Sequence, residues 1–251
     1  MEDIKVSVVS IVLAYLVVYI VWGSTFFFIE EALRSFPPFV LGSIRFIIAG
    51  SLLMGYGMIR GYRIFNKFDI RQAVFVGFLL LFVDMAAIIW SEQYISSGIV
   101  SILSAATAIW FIIFDRPKWK ENFSSVPILL GLIFGFAGVI MLFAEQLLTD
   151  NVPAEERSQN LTAMVVLTFG TIGWTIGSLY SKYYQKPKTA DKKKGTSLNV
   201  MVKTAWQMVT AGVAFTLVAL LKGEYSTFDY TAVHAADWGA MIYLVIMGSI
   251  L

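Results

Sequence analysis

The chain has 251 residues, of which 58% are hydrophobic and only 14% are charged, and its mean hydropathy is +0.74. Soluble domains carry about 25% charged residues, so this composition predicts an integral membrane protein embedded in lipid. The net charge of +2 is too small to suggest a nucleic-acid partner. The sequence contains no cysteine, and its single histidine, His234, lies in a polar connection, so no metal site and no cofactor are predicted.

Hydrophobic segments divide the chain into membrane spans. A spanning helix needs about 20 apolar residues, because it rises about 1.5 Å per residue through a hydrocarbon layer about 30 Å thick. Lipid cannot satisfy backbone polar groups, so an all-α, polytopic membrane helix bundle is predicted. The predicted spans are Val8–Ile29, Pro38–Ile59, Ala73–Ser91, Ser96–Phe114, Val126–Phe143, Leu161–Tyr180 and Val200–Leu221, and an eighth begins near Trp238. The eighth segment is short and has no charged flank, so we expect the sequence to be a fragment or an early stop.

Lysine and arginine lie mostly at one set of helix ends. Fifteen of them fall on the side of the N-terminus, whereas only Arg34, Arg157 and Lys222 fall on the other side. The positive-inside rule therefore predicts a cytoplasmic N-terminus in a multi-pass protein of the plasma (bacterial inner) membrane. The lysine-rich stretch 186–194 is expected to form a mobile cytoplasmic loop, with contact to anionic lipids as the alternative.

Two charged residues fall inside predicted spans. Arg45 and Asp84 each lie about 10 Å below the outer boundary, on consecutive antiparallel helices. Three interpretations remain open: a structural ion pair, a proton carried by Asp84, and an anionic substrate group bound by Arg45. Glu30 and Glu92, at the outer interface, are interpreted as solvated helix ends, with a functional role as the alternative.

Aromatic and polar side chains near the middle of the spans suit a small organic solute. Indole rings offer flat apolar faces, and hydroxyl or amide groups fix orientation. Lipid-facing or core packing is the alternative for each tryptophan. The predicted substrate-binding and translocation residues are Trp22, Ser24, Thr25, Arg45, Asp84, Thr107, Trp174, Trp206 and Gln207.

The sequence contains a weak internal repeat. Trp22-Gly23-Ser24-Thr25 is echoed by the segment 174–178, and the segment 43–50, which ends in Ala-Gly, is echoed by 205–212. Five spans, an odd number, precede the second copy, so it must enter the membrane in the opposite orientation. Inverted repeats are the architecture of many secondary transporters, with the substrate site between the halves.

Several motifs carry a family resemblance: W-G-S-T at Trp22, S-I-R-F at Arg45, S-E-Q-Y-I-S-S-G at 91–98 and W-T-I-G-S-L-Y-S at 174–181. The chain resembles the EamA-type drug/metabolite transporter superfamily, including bacterial inner-membrane exporters of metabolites and amino acids. The resemblance implies ten helices in two inverted halves and export by alternating access. It assigns 1–144 to a first repeat, 145–160 to an extracytoplasmic loop and 161–251 to a truncated second repeat with about three helices.

The sequence departs from the family at two positions. Ala108 stands where relatives often carry a proline, which leaves a kink in the fourth span open. Asp84 falls where relatives tend to carry glycine and asparagine.

The leading hypothesis is a secondary active transporter of small metabolites or amino acids, with protons as a candidate coupling ion and membrane lipids as its surroundings. The alternatives are a truncated membrane scaffold that does not transport and a membrane-embedded enzyme. No H-E-x-x-H or G-x-S-x-G motif is present, and Asp84 lacks a second acid for a protease dyad, so no enzymatic activity is predicted.

Overall fold

A computed structural model describes residues 8–148, 153–184 and 197–250 of the chain. Within these ranges the secondary structure is helical and includes no strand. Seven of the helices are long and apolar enough to cross a membrane. The predicted class, an all-α membrane helix bundle, is therefore confirmed.

Eight principal helices follow one another along the chain. They are α1 (Val8–Ala32), α2 (Pro38–Ile59), α3 (Lys67–Ser91), α4 (Ser97–Phe114), α5 (Val126–Leu148), α6 (Ala154–Tyr184), α7 (Val200–Leu221) and the shorter apolar α8 (Ala235–Ile250). Short helices also lie at Trp119–Ser124 and Glu224–Thr227.

The observed boundaries of α2 and α7 coincide with the predicted ones, whereas α3 begins six residues earlier than the apolar pattern indicates. The reason is a polar cap: the Asn66 side chain accepts hydrogen bonds from the backbone N–H groups of Phe68 and Asp69. This cap fixes the first turn of the helix before the hydrophobic residues begin. Hydropathy alone cannot find such a start.

The segment 145–160, predicted to be a loop, is helical at both ends. Helix α5 continues to Leu148 and α6 begins at Ala154. Polar residues extend both helices past the apolar core, and a hydropathy threshold assigns them to the connection. The lysine-rich stretch 186–194 lies outside the described residues.

Two of the helices are irregular near mid-span. Helix α3 contains a π-helical segment, Phe78–Val83, and α4 is interrupted at Ala106 between the segments Ser97–Ala105 and Thr107–Phe114. The Thr107 hydroxyl donates to the Ser104 carbonyl at 2.6 Å, which satisfies one acceptor beside the interruption. The fourth span is thus interrupted two residues before Ala108, without a proline.

Helices α2 and α7 pack antiparallel, and their closest approach is made by two glycines. A Cβ on Gly50 would lie 2.9 Å from the Val209 backbone nitrogen, and a Cβ on Gly212 would lie 2.8 Å from the Ile47 backbone nitrogen. The Phe46 and Phe215 rings stack beside them, with centroids 5.7 Å apart. These are the two echoed segments of the sequence, and each places its final glycine against the other helix.

Substitution of Gly212 by alanine is expected to destabilise the protein, because the added methyl group meets the Ile47 backbone as well as its side chain. Overpacking of this kind costs about 1–3 kcal/mol, which exceeds the gain of about 1 kcal/mol from replacing a helical glycine. Thermal unfolding in detergent should show a lower midpoint for Gly212→Ala. Gly55→Ala is the control, since nothing lies within 4 Å of a Cβ there. An unchanged midpoint for Gly212→Ala would contradict the close crossing.

Candidate functional site

A cavity of about 440 Å³ lies within the bundle, lined by residues of α1–α4 and α6–α8. This volume falls in the range of about 300–1,000 Å³ that is usual for small-molecule sites. Six of the nine predicted site residues line it: Trp22, Thr25, Arg45, Asp84, Thr107 and Trp174. The cavity therefore collects residues that are far apart in the sequence.

The other three predicted site residues make different contacts. The Ser24 hydroxyl is hydrogen-bonded to the Tyr243 hydroxyl at 2.7 Å, which joins α1 to α8. The Trp206 indole nitrogen donates to the Ile64 carbonyl at 3.0 Å, in the connection between α2 and α3. The backbone of Gln207 packs against Gly77. These residues lie outside the cavity lining in the described structure.

The Arg45 side chain is buried and is held by α8. Its Nε donates to the Ser249 hydroxyl at 2.9 Å, and its Nη2 donates to the Gly248 carbonyl at 2.8 Å. Its guanidinium carbon lies 5.0 Å from the centroid of the Phe46 ring. The Nη1 atom is buried and has no hydrogen-bond partner among the described residues. One donor group of this buried cation is thus left unpaired beside the cavity.

Of the three interpretations left open for Arg45 and Asp84, the structural ion pair is wrong. Both residues lie in the described part of the chain, and no ion pair joins them there. Equal depth in the membrane is not enough, because the direction of each side chain around its helix axis also matters. The guanidinium instead finds its acceptors on α8, a helix that lies about 200 residues away along the chain.

Asp84 lies at the end of the π-helical segment of α3 and lines the cavity. Its side chain is buried, and it makes no hydrogen bond or ion pair within the described ranges. Helix α6 approaches closely at this point, since a Cβ on Gly170 would lie 3.5 Å from the Asp84 Cα. The carboxylate is thus held on a well-packed helix at the edge of the cavity.

Two indole rings form part of the cavity wall. The Trp22 and Trp174 rings have centroids 5.8 Å apart and are tilted by 53°. They come from the two echoed W-G-S-T-like segments, one on α1 and one on α6. A tilted pair of this kind offers flat apolar faces to a solute.

Glu92 follows α3, just beyond the membrane-spanning segment that ends at Ser91, and the prediction that it is a solvated helix end is wrong. Its side chain is only 7% exposed, and both carboxylate oxygens are buried with no hydrogen-bond partner among the described residues. Burial, the largest cause, and repulsion from the nearby Glu30 carboxylate together raise the pKa of Glu92 to about 9, although the positive charge of Arg45 acts in the opposite direction. Glu30 is partly buried and accepts a hydrogen bond from the Ser97 backbone N–H at 3.1 Å.

Some cavity residues were missed by the sequence analysis. Ser101 and Ser104 lie three residues apart on α4, and Gly248 and Ser249 lie at the end of α8. The Ser104 hydroxyl is buried and has no hydrogen-bond partner in the described structure. The spacing of two serines on one face of an apolar helix is a weak signal that could have indicated the first pair.

Most of the lysine and arginine lies at one set of helix ends, which we call the basic face; it includes Arg60, Lys67, Arg116, Lys182 and Lys203. Polar contacts join α3 and α4 to α6 and α7 at this face. Asp115, at the end of α4, accepts hydrogen bonds from Lys182 Nζ at 2.7 Å and from the Tyr183 hydroxyl at 2.5 Å, both on α6. Asp69 accepts from the Leu198 backbone N–H at 2.6 Å and pairs with Lys203. The basic face is thus stabilised by polar contacts between α3 and α7 and between α4 and α6.

Contacts between the halves also join the opposite face. The Glu224 carboxylate accepts hydrogen bonds from the first N–H groups of α2, those of Phe39 and Val40, at 2.9 and 3.1 Å. The Ser35 hydroxyl donates to the Asp237 carboxylate in the first turn of α8. A carboxylate at a helix N-terminus is favourably placed for both hydrogen bonding and the helix dipole.

Comparison with known proteins places these features in a family. The profile of the EamA-like transporter family matches residues 9–144. The uncharacterized inner membrane transporter YedA of Escherichia coli K12 is 27% identical over 95% of this chain and 70% of its own length. The uncharacterized transporter YvbV of Bacillus subtilis is 24% identical over 92% of this chain and 69% of its own. No solved structure matches the chain at a significant level.

The family profile covers α1–α5 and therefore includes Trp22, Arg45, Asp84 and Thr107. It matches more than half of the chain and confirms the resemblance seen in the sequence motifs. The chain is a multi-pass membrane protein and belongs to the EamA-like transporter family.

Proposed function

We propose that the chain is a secondary active transporter that binds a small zwitterionic solute, of the amino-acid class, in the central cavity and exports it by alternating access. The observation that carries this proposal is the presence of two unlike charges that both line the cavity and do not pair with each other. Arg45 offers an unpaired Nη1 donor and Asp84 offers a carboxylate. The names of the family and of the relatives favour a transporter over an enzyme.

Electrostatics explain why a zwitterion fits. A charge buried in a membrane protein is costly unless a partner of opposite sign neutralises it. A solute carboxylate placed on Arg45 and a solute ammonium placed on Asp84 would neutralise both charges together. The unpaired Ser104 hydroxyl supplies a further polar contact, and the Trp22–Trp174 pair supplies an apolar surface for a side chain.

The antiparallel α2–α7 crossing supports an inverted-repeat architecture. Gly50 and Gly212 occupy equivalent places in the two echoed segments and make reciprocal contacts. This reciprocity is expected if a two-fold axis relates residues 1–144 to residues 161–251 across a loop near 145–160. In such transporters one half rocks against the other around a fixed midplane site.

The charge distribution supports a cytoplasmic basic face and N-terminus, in a bacterial inner membrane like that named for YedA. Asp115 lies eight residues beyond Thr107 on α4, and Lys182 lies eight residues beyond Trp174 on α6. Their contact therefore lies about 12 Å from the cavity on the cytoplasmic side. It joins two helices that line the cavity, and it must break for the cavity to open toward the cytoplasm.

Three matched solutes test the proposed site in proteoliposomes: phenylalanine, phenethylamine, which lacks the carboxylate, and phenylpropionate, which lacks the amine. We expect phenylalanine to be transported best. Arg45→Lys should weaken both phenylalanine and phenylpropionate by about tenfold, since lysine keeps the charge and loses the planar fork. Asp84→Asn should weaken phenylalanine, because it removes the charge that faces the ammonium group, and should leave phenylpropionate unaffected.

The control for this experiment is Arg34→Lys, because Arg34 is exposed and, among the described residues, forms its ion pair with the neighbouring Glu31. Equal transport of the three solutes would contradict the zwitterion site. If neither these three solutes nor any other small metabolite is transported, the scaffold alternative is favoured. Chemical conversion of a solute or lipid without net movement would favour the enzyme alternative.

Disruption of the Asp115 contact is expected to open the cytoplasmic pathway more often. The chain has no native cysteine, so Thr107→Cys introduces a single reporter in the cavity. In inside-out vesicles, a membrane-impermeant thiol reagent should label this cysteine about fivefold faster when Asp115→Asn is also present, because the equilibrium shifts toward the open state.

Glu121→Gln in the same background serves as the control, since Glu121 is an exposed carboxylate on the short helix that follows. If Asp115→Asn and Glu121→Gln label at the same rate as the parent, the contact does not restrict access.

A further inference from the structure

We propose that Glu92 is a proton-binding site whose protonation releases Arg45 for an anionic group in the cavity, so that solute binding and proton binding are linked. This inference rests on the proposed role of Arg45 in solute binding. It assigns the proton to Glu92, a residue that does not line the cavity, instead of to Asp84.

Three charged side chains from three parts of the fold converge at this place. Glu30 comes from α1, Arg45 from α2 and Glu92 from the turn after α3, and the charge of Glu92 interacts with both of the others. Glu30 is hydrogen-bonded to the first turn of α4. Arg45 and Glu92 each retain buried polar atoms without a hydrogen-bond partner among the described residues. The cluster is therefore electrostatically coupled and only partly satisfied.

The protonated form of Glu92 suits these surroundings better than the ionised form. An ionised carboxylate with no hydrogen-bond donor is strongly disfavoured in a buried position, whereas a neutral acid costs much less. Burial raises the pKa of Glu92 to about 9, and repulsion from Glu30 acts in the same direction. On α3 the charged residue closest to Glu92 along the chain is Asp84, eight residues earlier. On α6 the residue that contacts Ser91 is the uncharged Ala163, and the charged Glu155, Glu156 and Arg157 lie six to eight residues before it.

The protonation state of Glu92 determines how strongly Arg45 attracts an anion. Ionised Glu92 competes with a solute carboxylate for the positive charge of Arg45. Protonated Glu92 withdraws this competition, so the cation is available to the cavity through its unpaired Nη1. Linkage is reciprocal: if a proton on Glu92 favours the solute, the bound solute raises the affinity of Glu92 for the proton by the same factor.

The sign of the pH dependence follows directly. The competent form is the protonated one, so solute affinity is full below the pKa of Glu92, about 9, and falls as the pH rises through this value. With couplings of the usual size, the affinity at about pH 10 should be about three- to tenfold weaker than at about pH 8.

The experiment measures binding by the full chain in detergent with a betaine, an N-trimethylated amino acid whose quaternary ammonium cannot titrate. We expect the affinity of the wild-type protein to fall across this pH range and that of Glu92→Gln to stay constant at the high-affinity value. Glu155→Gln, an exposed carboxylate on α6, is the control and should behave as wild type. Equal pH dependence in wild type and Glu92→Gln would overturn the inference.

An infrared measurement separates failure of this inference from failure of the proposed function, since it requires no solute. The carbonyl band of a protonated carboxylic acid should be present near neutral pH and reduced in Glu92→Gln. If Glu92→Gln shows the same carbonyl band as the wild-type protein, the proton site is overturned even if solute binds. Presence of the band without binding of any zwitterion would overturn the proposed function and, with it, the linkage.

Discussion

A guanidinium group buried within a membrane protein needs hydrogen-bond acceptors, and the position of Arg45 is determined by the acceptors that α8 provides. Ser249 and Gly248 lie in the π-helical end of α8, Ile246–Ile250. A π-helical turn shifts hydrogen bonding away from the regular pattern and exposes backbone carbonyl groups. The Arg45 side chain therefore joins α2 to α8 directly beside the cavity.

The polar groups around the cavity differ in how well they are satisfied. Contacts at both faces of the bundle are complete, as shown by Asp115 with Lys182 and Tyr183, and by Glu224 with the start of α2. By contrast, Arg45 Nη1 and the Ser104 hydroxyl beside the cavity, and the Glu92 carboxylate past the end of α3, have no hydrogen-bond partner among the described residues. Buried polar groups in folded proteins are normally paired, so such a concentration of exceptions marks a place where something else binds. Two of these three groups line the cavity, and the third, Glu92, lies just past the end of α3.

The sequence predicted the fold well because lipid imposes simple rules. The lengths of the apolar segments predicted the spans, and the predicted boundaries of α2 and α7 are the observed ones. The starts of α3 and α6 were missed because polar caps and polar first turns carry no hydropathy signal. The residues that surround the cavity were predicted less completely. The depth of a residue in the membrane could be predicted by counting residues along its helix. The direction of the Arg45 and Glu92 side chains could not, because it depends on packing against α8 and α1, which are distant in the sequence.

The irregular turns in α3 and α4 divide the bundle into parts of unequal stiffness. Helices α2 and α7 meet through glycine and cannot slide without collision of backbone atoms, so they form a rigid spine. The π-helical segment of α3 and the interruption of α4 at Ala106 give up regular hydrogen bonds at the level of the cavity, where each helix bends most easily. We therefore expect shape changes of the cavity to occur mainly in α3 and α4, whereas the α2–α7 pair keeps its shape.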